Sequence, residues 1–549
     1  MIESLTAQQR VYEHIELRGS GFGEINDPDD PCVHQVVFSG DDVEITVENV
    51  YVWRDDYIRV RVPVGATIDG SAVPIPKTPL LVSVRTSAGT SDPLPFQVIT
   101  SAGTVAFLER TNIANSNDGD PTNDEDISTF LGDPPMNLAQ TKDGEIGDFD
   151  NDGRLDIFDA NSGNVRNETY PLIRYGRDSD GFDAFPFERR LNGEPGTFLL
   201  ATNDVYSHDA ITYDLDAMDL NNDLFLDLVQ ATQEDTGSYF RVFIRRADDP
   251  RRYDEQTFTW MGTEPFGPGR PDDLDHIDAD RDGFVDLVAT LRLNGEVGAV
   301  RFFHNNSGES FDDWVSVSEE FNGQSVHDAF FVFANSDALP DIGFCSEVIK
   351  SCAVSINTGD GLFAPPSEFG PSPMITGAVG DFNGDGIEDL TVAGGIGQFG
   401  GNTPIAYVLL NNADGDLDEE LQLPYSWGDG GGAFYDIEVG DVDLDGDLDI
   451  IAAVDGGADE PARRVAIWYN SGAGQFTEAT ALGADQVLVG LGPYERISVD
   501  LIDFDNDGDL DLYVTGGDPS DTDWGMPLPE SFGRAPNQFF ENRLITTML

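Results

Sequence analysis

Groups of closely spaced acidic residues recur along this chain, and their types and spacing are suited to binding a metal ion. The pattern is D-x-D-x-D-G-x-x-D followed by an apolar stretch, and we number its residues 1 to 9. Carboxylates at positions 1, 3 and 5 of a tight turn point to one centre, and glycine at position 6 allows the sharp turn. Four carboxylates this close repel one another unless a cation lies between them. The pattern therefore predicts a Ca²⁺ site, because Ca²⁺ takes six to eight oxygen ligands.

The pattern occurs in five intact and two altered copies, which we call repeats one to seven. In chain order their first positions are Asp148, Asp219, Asp278, Phe333, Asp381, Asp441 and Asp503, at spacings of 48 to 71 residues. Repeat two has Leu224 where the glycine should stand, so we expect a weaker, sixth site there. Repeat four has Phe333 at position 1, and we expect it to bind no metal.

The opening spacing is shared with EF-hands, but the rest of the sequence excludes them. An EF-hand requires glutamate at position 12 and a helix on each side. Position 12 is Val392, Ala452 and Val514 in three copies, and each lies in an apolar, strand-like run.

The segments around the acidic loops predict an all-β repeat. Strand-like runs precede and follow the sixth loop at 435–439 and 448–454, and a third run often ends at asparagine, as at 300–305, 405–411 and 465–470. A period near sixty residues with only strand signals gives about four strands per unit, and units of this kind pack radially into a propeller. We therefore predict a seven-bladed β-propeller over residues 101–549. We also expect residues 104–110 to supply the outer strand of the last blade and close the ring.

Residues 11–100 show short runs of alternating polarity separated by glycine and proline, for example at 43–47, 57–62 and 80–85. This length and pattern predict an immunoglobulin-like β-sandwich, preceded by an N-terminal tail over residues 1–10. The segments at 18–24, 57–66 and 83–98 resemble the IPT/TIG family of immunoglobulin-like domains, which implies a spacer or contact module.

From about residue 140 onward the chain resembles the FG-GAP and VCBS repeats, the calcium-loop repeats of integrin-α-type propellers. The resemblance implies Ca²⁺ held by side chains at positions 1, 3, 5 and 9 and by the carbonyl of position 7. In this sequence the implied ligands are Asp148, Asp150, Asp152, Arg154 and Asp156; Asp278, Asp280, Asp282, Phe284 and Asp286; Asp381, Asn383, Asp385, Ile387 and Asp389; Asp441, Asp443, Asp445, Asp447 and Asp449; and Asp503, Asp505, Asp507, Asp509 and Asp511. For the weaker site in repeat two they are Asp219, Asn221, Asp223 and Asp227.

The chain is strongly acidic, with 102 acidic and 30 basic residues among 549 and a formal net charge of −72. Such a surface repels phosphate groups, so we expect no nucleic-acid partner, and no apolar run is long enough to insert in a membrane. Six Ca²⁺ ions would cancel only twelve of the 72 charges. The remaining acidity is consistent with solvation in salty surroundings.

Three cysteines occur, and none forms a CxxC pair. Cys345 and Cys352 flank an expected hairpin turn, where they form either a cross-strand disulfide or two buried thiols; Cys32 has no evident partner. No export signal is visible at the N-terminus, so we expect any such signal to have been removed or to lie upstream. Calcium loops of this kind are kept filled by extracellular calcium, and we expect a secreted or cell-surface protein.

Other polar residues suggest further sites. Acidic residues recur five and three residues before position 1, among them Asp273, Asp275, Asp328, Asp436 and Glu438; they either form a ring that attracts cations or mark the polar end of an inner strand. His208, His276 and His327 precede consecutive loops, and arginines cluster nearby at 177, 189, 190, 245, 246, 251 and 252.

The spacing of these residues does not place a catalytic base next to a positively charged side chain that could neutralise a substrate, and we find no catalytic motif. We therefore expect a binding or adhesion protein with a glycan or protein ligand, contacted through inserts at 112–137, 176–197 and 517–536. The alternatives are a polysaccharide lyase, which needs a base and a cation to neutralise a uronate, and a structural surface subunit.

Overall fold

The structure is a computed structural model in which every regular element of the described residues is a β-strand. It describes residues 1–23, 34–40, 43–68, 71–101, 107–109, 141–150, 156–161, 172–176, 182–184, 211–234, 237–248, 253–256, 270–292, 299–312, 314–317, 326–335, 337, 339–346, 352–359, 361–370, 374–395, 404–411, 417, 419–425, 434–454, 464–472, 474–479, 498–503, 507–514, 538–542 and 544. No helix of this part of the chain is long and apolar enough to cross a membrane.

The first hundred residues form two facing sheets and a small hairpin, which we call the N-terminal sheets. The first sheet contains Ile2–Leu5, His14–Gly19, Tyr57–Arg61 and Val52–Trp53 in that order. The second contains Gln8–Gln9, Leu94–Val98, Leu80–Thr86, Gln35–Gly40 and Val43–Val47, with Gly89–Thr90 paired to Leu80–Thr86. Gly65–Ile68 and Ser71–Pro74 form the hairpin.

The N-terminal tail expected over residues 1–10 instead belongs to these sheets. Ile2–Leu5 pairs antiparallel with His14–Gly19, and Gln8–Gln9 pairs parallel with Leu94–Val98. The physical reason is burial, because Ile2 is only 7% exposed and joins the apolar core.

Alternating side chains form the core between the two sheets. Ile15 and Leu17 on one strand, and Ile58 and Val60 on its neighbour, are fully buried while the residues between them are partly exposed. This is the burial pattern that a strand with one buried face produces.

Seven four-stranded antiparallel sheets follow, one for each repeat. In repeats one to three the strands are Thr141–Gly147, Asp156–Asn161, Leu172–Gly176 and Phe182–Ala184; Ile211–Met218, Asp227–Glu234, Gly237–Arg245 and Tyr253–Glu255; and Arg270–Ile277, Asp286–Arg292, Ala299–Phe303 and Val315–Ser316. In repeats four to six they are Val326–Val332, Asp341–Ser346, Cys352–Ser355 and Ser367–Phe369; Thr376–Gly380, Asp389–Gly394, Ile405–Leu410 and Glu419–Gln422; and Phe434–Gly440, Asp449–Val454, Arg464–Asn470 and Phe476–Glu478.

The seventh sheet combines the two ends of the repeat region. Its strands are Val499–Ile502, Asp511–Val514, Gln538–Asn542 and Phe107–Glu109. Phe107–Glu109 pairs antiparallel with Gln538–Asn542, so the strand pairing predicted for residues 104–110 is confirmed.

The sheets contact one another in chain order through their first strands. Each first strand contacts the first strand of the next repeat, and that of repeat one also contacts that of repeat seven. Every second strand begins at position 9 of its loop, and in repeats four and five all six of its residues are buried. The acidic loops therefore lie together at one end of the first strands.

A disulfide joins Cys345 and Cys352, which are register partners on adjacent strands of repeat four. The sequence left open a disulfide or two buried thiols, and the structure has the disulfide. Both cysteines are fully buried. Cys32 lies outside the described residues.

Candidate metal loops and central cavity

Each acidic loop is held in shape by hydrogen bonds from its own backbone to its own carboxylates. The position 6 amide donates to the position 1 carboxylate in repeats three, five, six and seven: Gly283 to Asp278, Gly386 to Asp381, Gly446 to Asp441 and Gly508 to Asp503, at 2.9–3.0 Å. These glycines have φ between +87° and +101°, a backbone conformation that glycine adopts readily. Position 3 likewise accepts from the position 5 amide, and position 5 from the position 7 amide.

The loops bring together the carboxylates that the sequence predicted. Ligand oxygens of positions 1, 3 and 9 lie within 4.8 Å of one another in three repeats: Asp148, Asp150 and Asp156; Asp278, Asp280 and Asp286; and Asp441, Asp443 and Asp449. Asp152, Arg154 and Asp505 lie outside the described residues. The carbonyls of Phe284, Ile387, Asp447 and Asp509 stay predicted ligands.

The first carboxylate of three loops has a buried oxygen with no donor. Oδ1 of Asp278, Asp441 and Asp503 is buried and accepts no hydrogen bond within the described part of the chain, whereas Oδ2 of each accepts the glycine amide. An unsatisfied buried carboxylate oxygen is costly. The same atom lacks a donor in three separate repeats, as expected for an oxygen that binds a cation.

Burial makes these carboxylates poor anions when no cation is present. Burial, followed by the neighbouring charges of Asp445 and Asp443, raises the pKa of Asp441 to about 8. Burial and the charges of Asp282 and Asp280 raise the pKa of Asp278 well above its usual value. A bound divalent cation would reverse this effect, because it favours the ionised form.

The loops of repeats two and five satisfy their first carboxylate themselves. The amides of Asp223 and Leu224 donate to Asp219, at 2.9 and 3.0 Å, and Leu224 takes φ +70° where the other loops have glycine. In repeat five Oδ1 of Asp381 accepts the amides of Gly384 and Asp385. The five intact copies are alike in sequence, but in the hydrogen bonds of its first carboxylate repeat five resembles repeat two.

The aspartate at position 9 also has a structural role that the sequence analysis missed. In repeats two to six one of its oxygens accepts the position 2 amide and the other accepts an amide at the end of the third strand. Asp341 makes both bonds in repeat four, the copy predicted to bind no metal. This explains why repeat four has an aspartate at position 9 although its position 1 is phenylalanine.

The asparagine that ends the third strand ties each sheet to the one before it. Its side-chain Nδ2 donates to the position 2 carbonyl of the preceding repeat at 2.8–3.1 Å: Asn305 to Leu220, Asn357 to Ala279, Asn411 to Ala334, Asn470 to Phe382 and Asn542 to Val442. In repeat two, which has Arg245 at this point, the Tyr253 hydroxyl donates to the carbonyl of Phe149 instead. The asparagines were visible in the sequence as strand ends, but not as links between sheets.

The N-terminal sheets lie on the face that carries the acidic loops. Arg10 is 5% exposed and its Nη1 donates to Asp503 Oδ2 at 3.1 Å and to the carbonyl of Gly508 at 3.2 Å. Arg61 Nη1 donates to Glu388 Oε1 at 3.0 Å and packs over the rings of Tyr12 and Tyr51.

Two further contacts extend this interface to other loops. A Cβ at Gly446 would approach Lys77 Cε to 2.7 Å, and one at Gly283 would approach Arg54 Cγ to 3.1 Å. Basic residues of the N-terminal sheets therefore reach the loops of repeats three, five, six and seven.

A cavity of about 440 Å³ lies beneath the N-terminal sheets. Tyr12, Glu13, His14, Tyr51 and Arg61 line it from the N-terminal sheets. The first strands contribute the predicted acids, Asp273, Asp275, Asp328, Asp436 and Glu438. The expectation that these acids lie near a common channel agrees with this lining.

Most of these acids also hold the next sheet in place. Asp273 accepts the amide of Ala329 at 2.8 Å, Asp436 accepts that of Val499 at 2.7 Å, and Asp328 accepts that of Gly377. The strand register shifts just before the acid in repeats four and six, as expected at a β-bulge. Of the two interpretations of these acids, the structural one accounts for their hydrogen bonds.

The described histidines of the predicted set make contacts between sheets. His276 Nδ1 lies 2.6 Å from Asp216 Oδ2 of the preceding repeat, and His327 Nδ1 lies 3.4 Å from Asp272 Oδ2. His208, Arg177, Arg189, Arg190, Arg251 and Arg252 lie outside the described residues, as do nearly all of the three inserts. Arg246 is bound by Asp248 and Asp254 on the surface.

Comparison with known proteins identifies part of the repeat region. Residues 381–452 and 441–514 match the family described as FG-GAP-like repeat, and the matches together span less than half of the chain. They cover the loops of repeats five, six and seven. No curated protein matches the sequence.

Several solved structures are similar at low identity. One is a lectin of Agrocybe aegerita described as recognising non-reducing terminal N-acetylglucosamine, with 16% identity, 85% of this chain and 91% of that chain covered, and a TM-score of 0.41. Another is the rhamnogalacturonan lyase YesW, with 12% identity, 84% and 74% covered, and a TM-score of 0.31. A periplasmic gluconolactonase of Pseudomonas aeruginosa has 14% identity, 58% and 85% covered, and a TM-score of 0.33.

Proposed function

We propose that this protein is a seven-bladed, calcium-binding β-propeller with an N-terminal immunoglobulin-like sandwich, and that it acts outside the cell as a binding or adhesion protein. The observation that carries the calcium assignment is the buried Oδ1 of Asp278, Asp441 and Asp503, which has no hydrogen-bond donor among the described residues. One cation in each of these loops, bound at this oxygen and at the carboxylates of positions 3 and 9, would remove the unfavourable burial in that loop.

Calcium suits this donor set better than other common cations. The donors are carboxylate oxygens on a flexible loop, and Ca²⁺ accepts irregular shells of six to eight oxygens, whereas Mg²⁺ demands a near-ideal octahedron. The ion would fix the loop that joins the first and second strands. It would stabilise the native state, because the unfolded chain does not preserve the site.

The propeller assignment is supported by the seven four-stranded sheets, the contacts between their first strands, and the strand that residues 107–109 add to the last sheet. The sandwich assignment is supported by the two facing sheets of residues 1–98. An extracellular location is supported by the buried disulfide, which is typical of oxidising compartments.

A binding role is favoured over catalysis by how the described polar residues are used. The acids of the cavity and His276 hold neighbouring sheets together, and a fully ligated Ca²⁺ offers no open position to a substrate. We propose a glycan or protein ligand contacted by the long inserts, since loops on a rigid scaffold commonly carry specificity.

The calcium assignment is tested on the purified full-length chain. After dialysis against Ca²⁺ alone, elemental analysis should find five to six Ca²⁺ per chain, and removing them with a chelator should lower the melting temperature strongly. Each site filled at 100 times its dissociation constant contributes about 2.7 kcal/mol. Native protein without calcium, melting at the same temperature with and without chelator, would contradict the proposal.

The binding role needs a separate experiment. Calcium-loaded protein applied to an array of glycans, and to acidic polysaccharides with a test for unsaturated products, separates binding from lyase activity. We expect calcium-dependent retention on a ligand and no product. Unsaturated products would favour the lyase instead.

A further inference from the structure

Repeat three differs from the other described repeats in one residue beside its acidic loop. His304 directly precedes Asn305, the asparagine that ties repeat three to repeat two. The corresponding residues before the linking asparagine are Ile356, Leu410, Tyr469 and Glu541 in repeats four to seven. Among them only repeat three presents an imidazole to its loop.

The imidazole of His304 is aimed at the predicted metal ligands. Its Nε2 lies 2.9 Å from Asp280 Oδ2 and 3.8 Å from Asp282 Oδ2, the carboxylates of positions 3 and 5. Two ligand atoms about 2.1 Å from one ion and roughly at right angles lie about 3 Å apart. Nε2 and Asp280 Oδ2 are therefore spaced as two ligands of one small cation, and a carboxylate oxygen of Asp282 lies within 4.8 Å of both residues' ligand atoms.

The other ring nitrogen of His304 is held as in known metal sites. Its Nδ1 lies 3.1 Å from Asp312 Oδ2, on the side away from the loop. Histidines that bind metals usually donate their second nitrogen to a carboxylate, which fixes the tautomer with Nε2 free to bind the ion. Asp312 gives His304 this arrangement.

The loop also contains a buried ligand atom without a partner. Oδ1 of Asp278 is buried, accepts no hydrogen bond in the described residues, and belongs to a residue that is 2% exposed. Oxygens of Asp278, Asp280 and Asp286 converge within 4.8 Å. Asp280 also belongs to a second group, with Asp282 and His304, so the imidazole is joined to this cluster through the shared carboxylate.

We propose that repeat three prefers a transition-metal ion of the Zn²⁺ class over Ca²⁺, with His304 Nε2 as a ligand and Asp312 as the residue that positions it. Imidazole suits these ions, whereas Ca²⁺ prefers oxygen and gains little from nitrogen. The inference rests on the proposed function, because it requires that the loop binds a cation at all.

The test uses the full-length chain, stripped with a chelator and then dialysed against Zn²⁺ with a large excess of Ca²⁺. Wild-type protein should retain one Zn²⁺ per chain, and His304→Gln should retain none without losing calcium, because Ca²⁺ can then occupy the loop. Asp312→Asn should weaken Zn²⁺ binding about 10- to 100-fold. Co²⁺ in place of Zn²⁺ should show an absorption spectrum that changes in His304→Gln.

Two further variants make the experiment decisive. Tyr469→His, at the matching position of repeat six, should add a second retained Zn²⁺. His276→Gln removes the histidine of another acidic cluster, Asp216, Asp275 and His276, and should leave retention unchanged.

Some outcomes would overturn the inference. They are the absence of retained Zn²⁺ in the wild type, equal retention in His304→Gln, and loss of Zn²⁺ in His276→Gln alone. Calcium measured in the same samples reports on the proposed function separately. A chain that loads Ca²⁺ but not Zn²⁺ refutes only the repeat-three site, and a chain that loads neither refutes both.

Discussion

At the scale of single residues, the carboxylates of one loop divide the work between folding and ligand binding. Position 9 gives both oxygens to backbone amides, as Asp449 does with Val442 and Asn470. Position 1 accepts the position 6 amide with one oxygen, and in three repeats its other oxygen has no donor in the part of the chain that the structure describes. Substituting the aspartate at position 1 should therefore remove the metal ion while leaving the fold of the loop intact.

Asp441→Asn should remove one Ca²⁺ per chain. Asparagine can still accept the Gly446 amide, so the loop keeps its shape while losing a charged ligand. In saturating calcium we expect a loss of about 2–3 kcal/mol of unfolding free energy. In chelator we expect no loss, because burial raises the pKa of Asp441 to about 8 and asparagine then replaces a carboxyl group that is largely neutral at pH 7. Calorimetric titration and thermal unfolding measure both effects.

Asp337→Asn is the matched control, since Asp337 occupies position 5 of repeat four, the copy with phenylalanine at position 1. Its calcium content and its difference in melting temperature between calcium and chelator should equal those of the wild type. If both variants lose the same amount of calcium, the position 1 oxygen has no special role.

At the scale of elements, hydrogen bonds between sheets explain a recurring residue that has no place in the metal site. Asn305 is fully buried, and its Nδ2 donates to the carbonyl of Leu220 in repeat two and to that of Val285 in its own loop. One side chain therefore joins two sheets and a loop. Its effect should appear in stability rather than in metal content.

Asn305→Ala should lower the unfolding free energy by about 3 kcal/mol, because it leaves buried carbonyls without donors. Asn306→Ala, at the exposed neighbouring residue, should change it by less than about 0.5 kcal/mol. Denaturant unfolding in saturating calcium measures the difference. Equal effects of the two substitutions would show that the link is not needed.

The strands and loops of a repeat could largely be predicted from the sequence, but the contacts between repeats could not, and this difference has a physical cause. The acidic loop, the order of the strands around it and the pairing of residues 107–109 follow from a local pattern that is repeated along the chain. The role of Asn305 depends on a carbonyl 85 residues earlier, and that of Asp273 on an amide 56 residues later. A single sequence does not show which distant backbone atoms meet a side chain. For the same reason Ile2–Leu5, expected in a tail, was not predicted to pair with His14–Gly19.

At the scale of the whole molecule, the N-terminal sheets and the repeats form one charge-matched interface. The chain has only 30 basic residues, and several of them lie against the acidic loops. Arg10 forms an ion pair with Asp503, and Arg61 forms one with Glu388. The Arg61 pair is mostly buried, with side chains 25% and 11% exposed, and Glu388 also accepts the Phe333 amide.

Arg61→Met should destabilise the docking of the N-terminal sheets by about 3 kcal/mol, because it leaves the Glu388 charge buried without its partner. Arg85→Met is the control, since its pair with Glu44 is exposed and worth at most about 1 kcal/mol. We expect Arg61→Met to split denaturant unfolding into two transitions. A single transition with both variants equally stable would contradict this interface.

The direction in which stability changes with pH should reverse when calcium binds. Without a cation, burial raises the pKa of Asp441 to about 8 and that of Asp381 to about 7, both above the usual value of 3.8. Between about pH 4 and pH 8 the native state then binds more protons than the unfolded state, so stability falls as pH rises. With Ca²⁺ bound the ionised form is favoured, the native pKa is depressed, and stability is lost as pH falls.

Melting temperatures at pH 5 and pH 8, with chelator and with saturating calcium, test this directly. About 1 M NaCl in all samples screens the repulsion expected from a net charge of −72, leaving the buried loops as the main source of any slope. We expect a higher melting temperature at pH 5 in chelator and at pH 8 in calcium. Asp441→Asn should reduce both slopes, because it removes one of the titrating groups. If the melting temperature changed with pH in the same direction and by the same amount in chelator and in calcium, the loop carboxylates would not exchange protons for calcium.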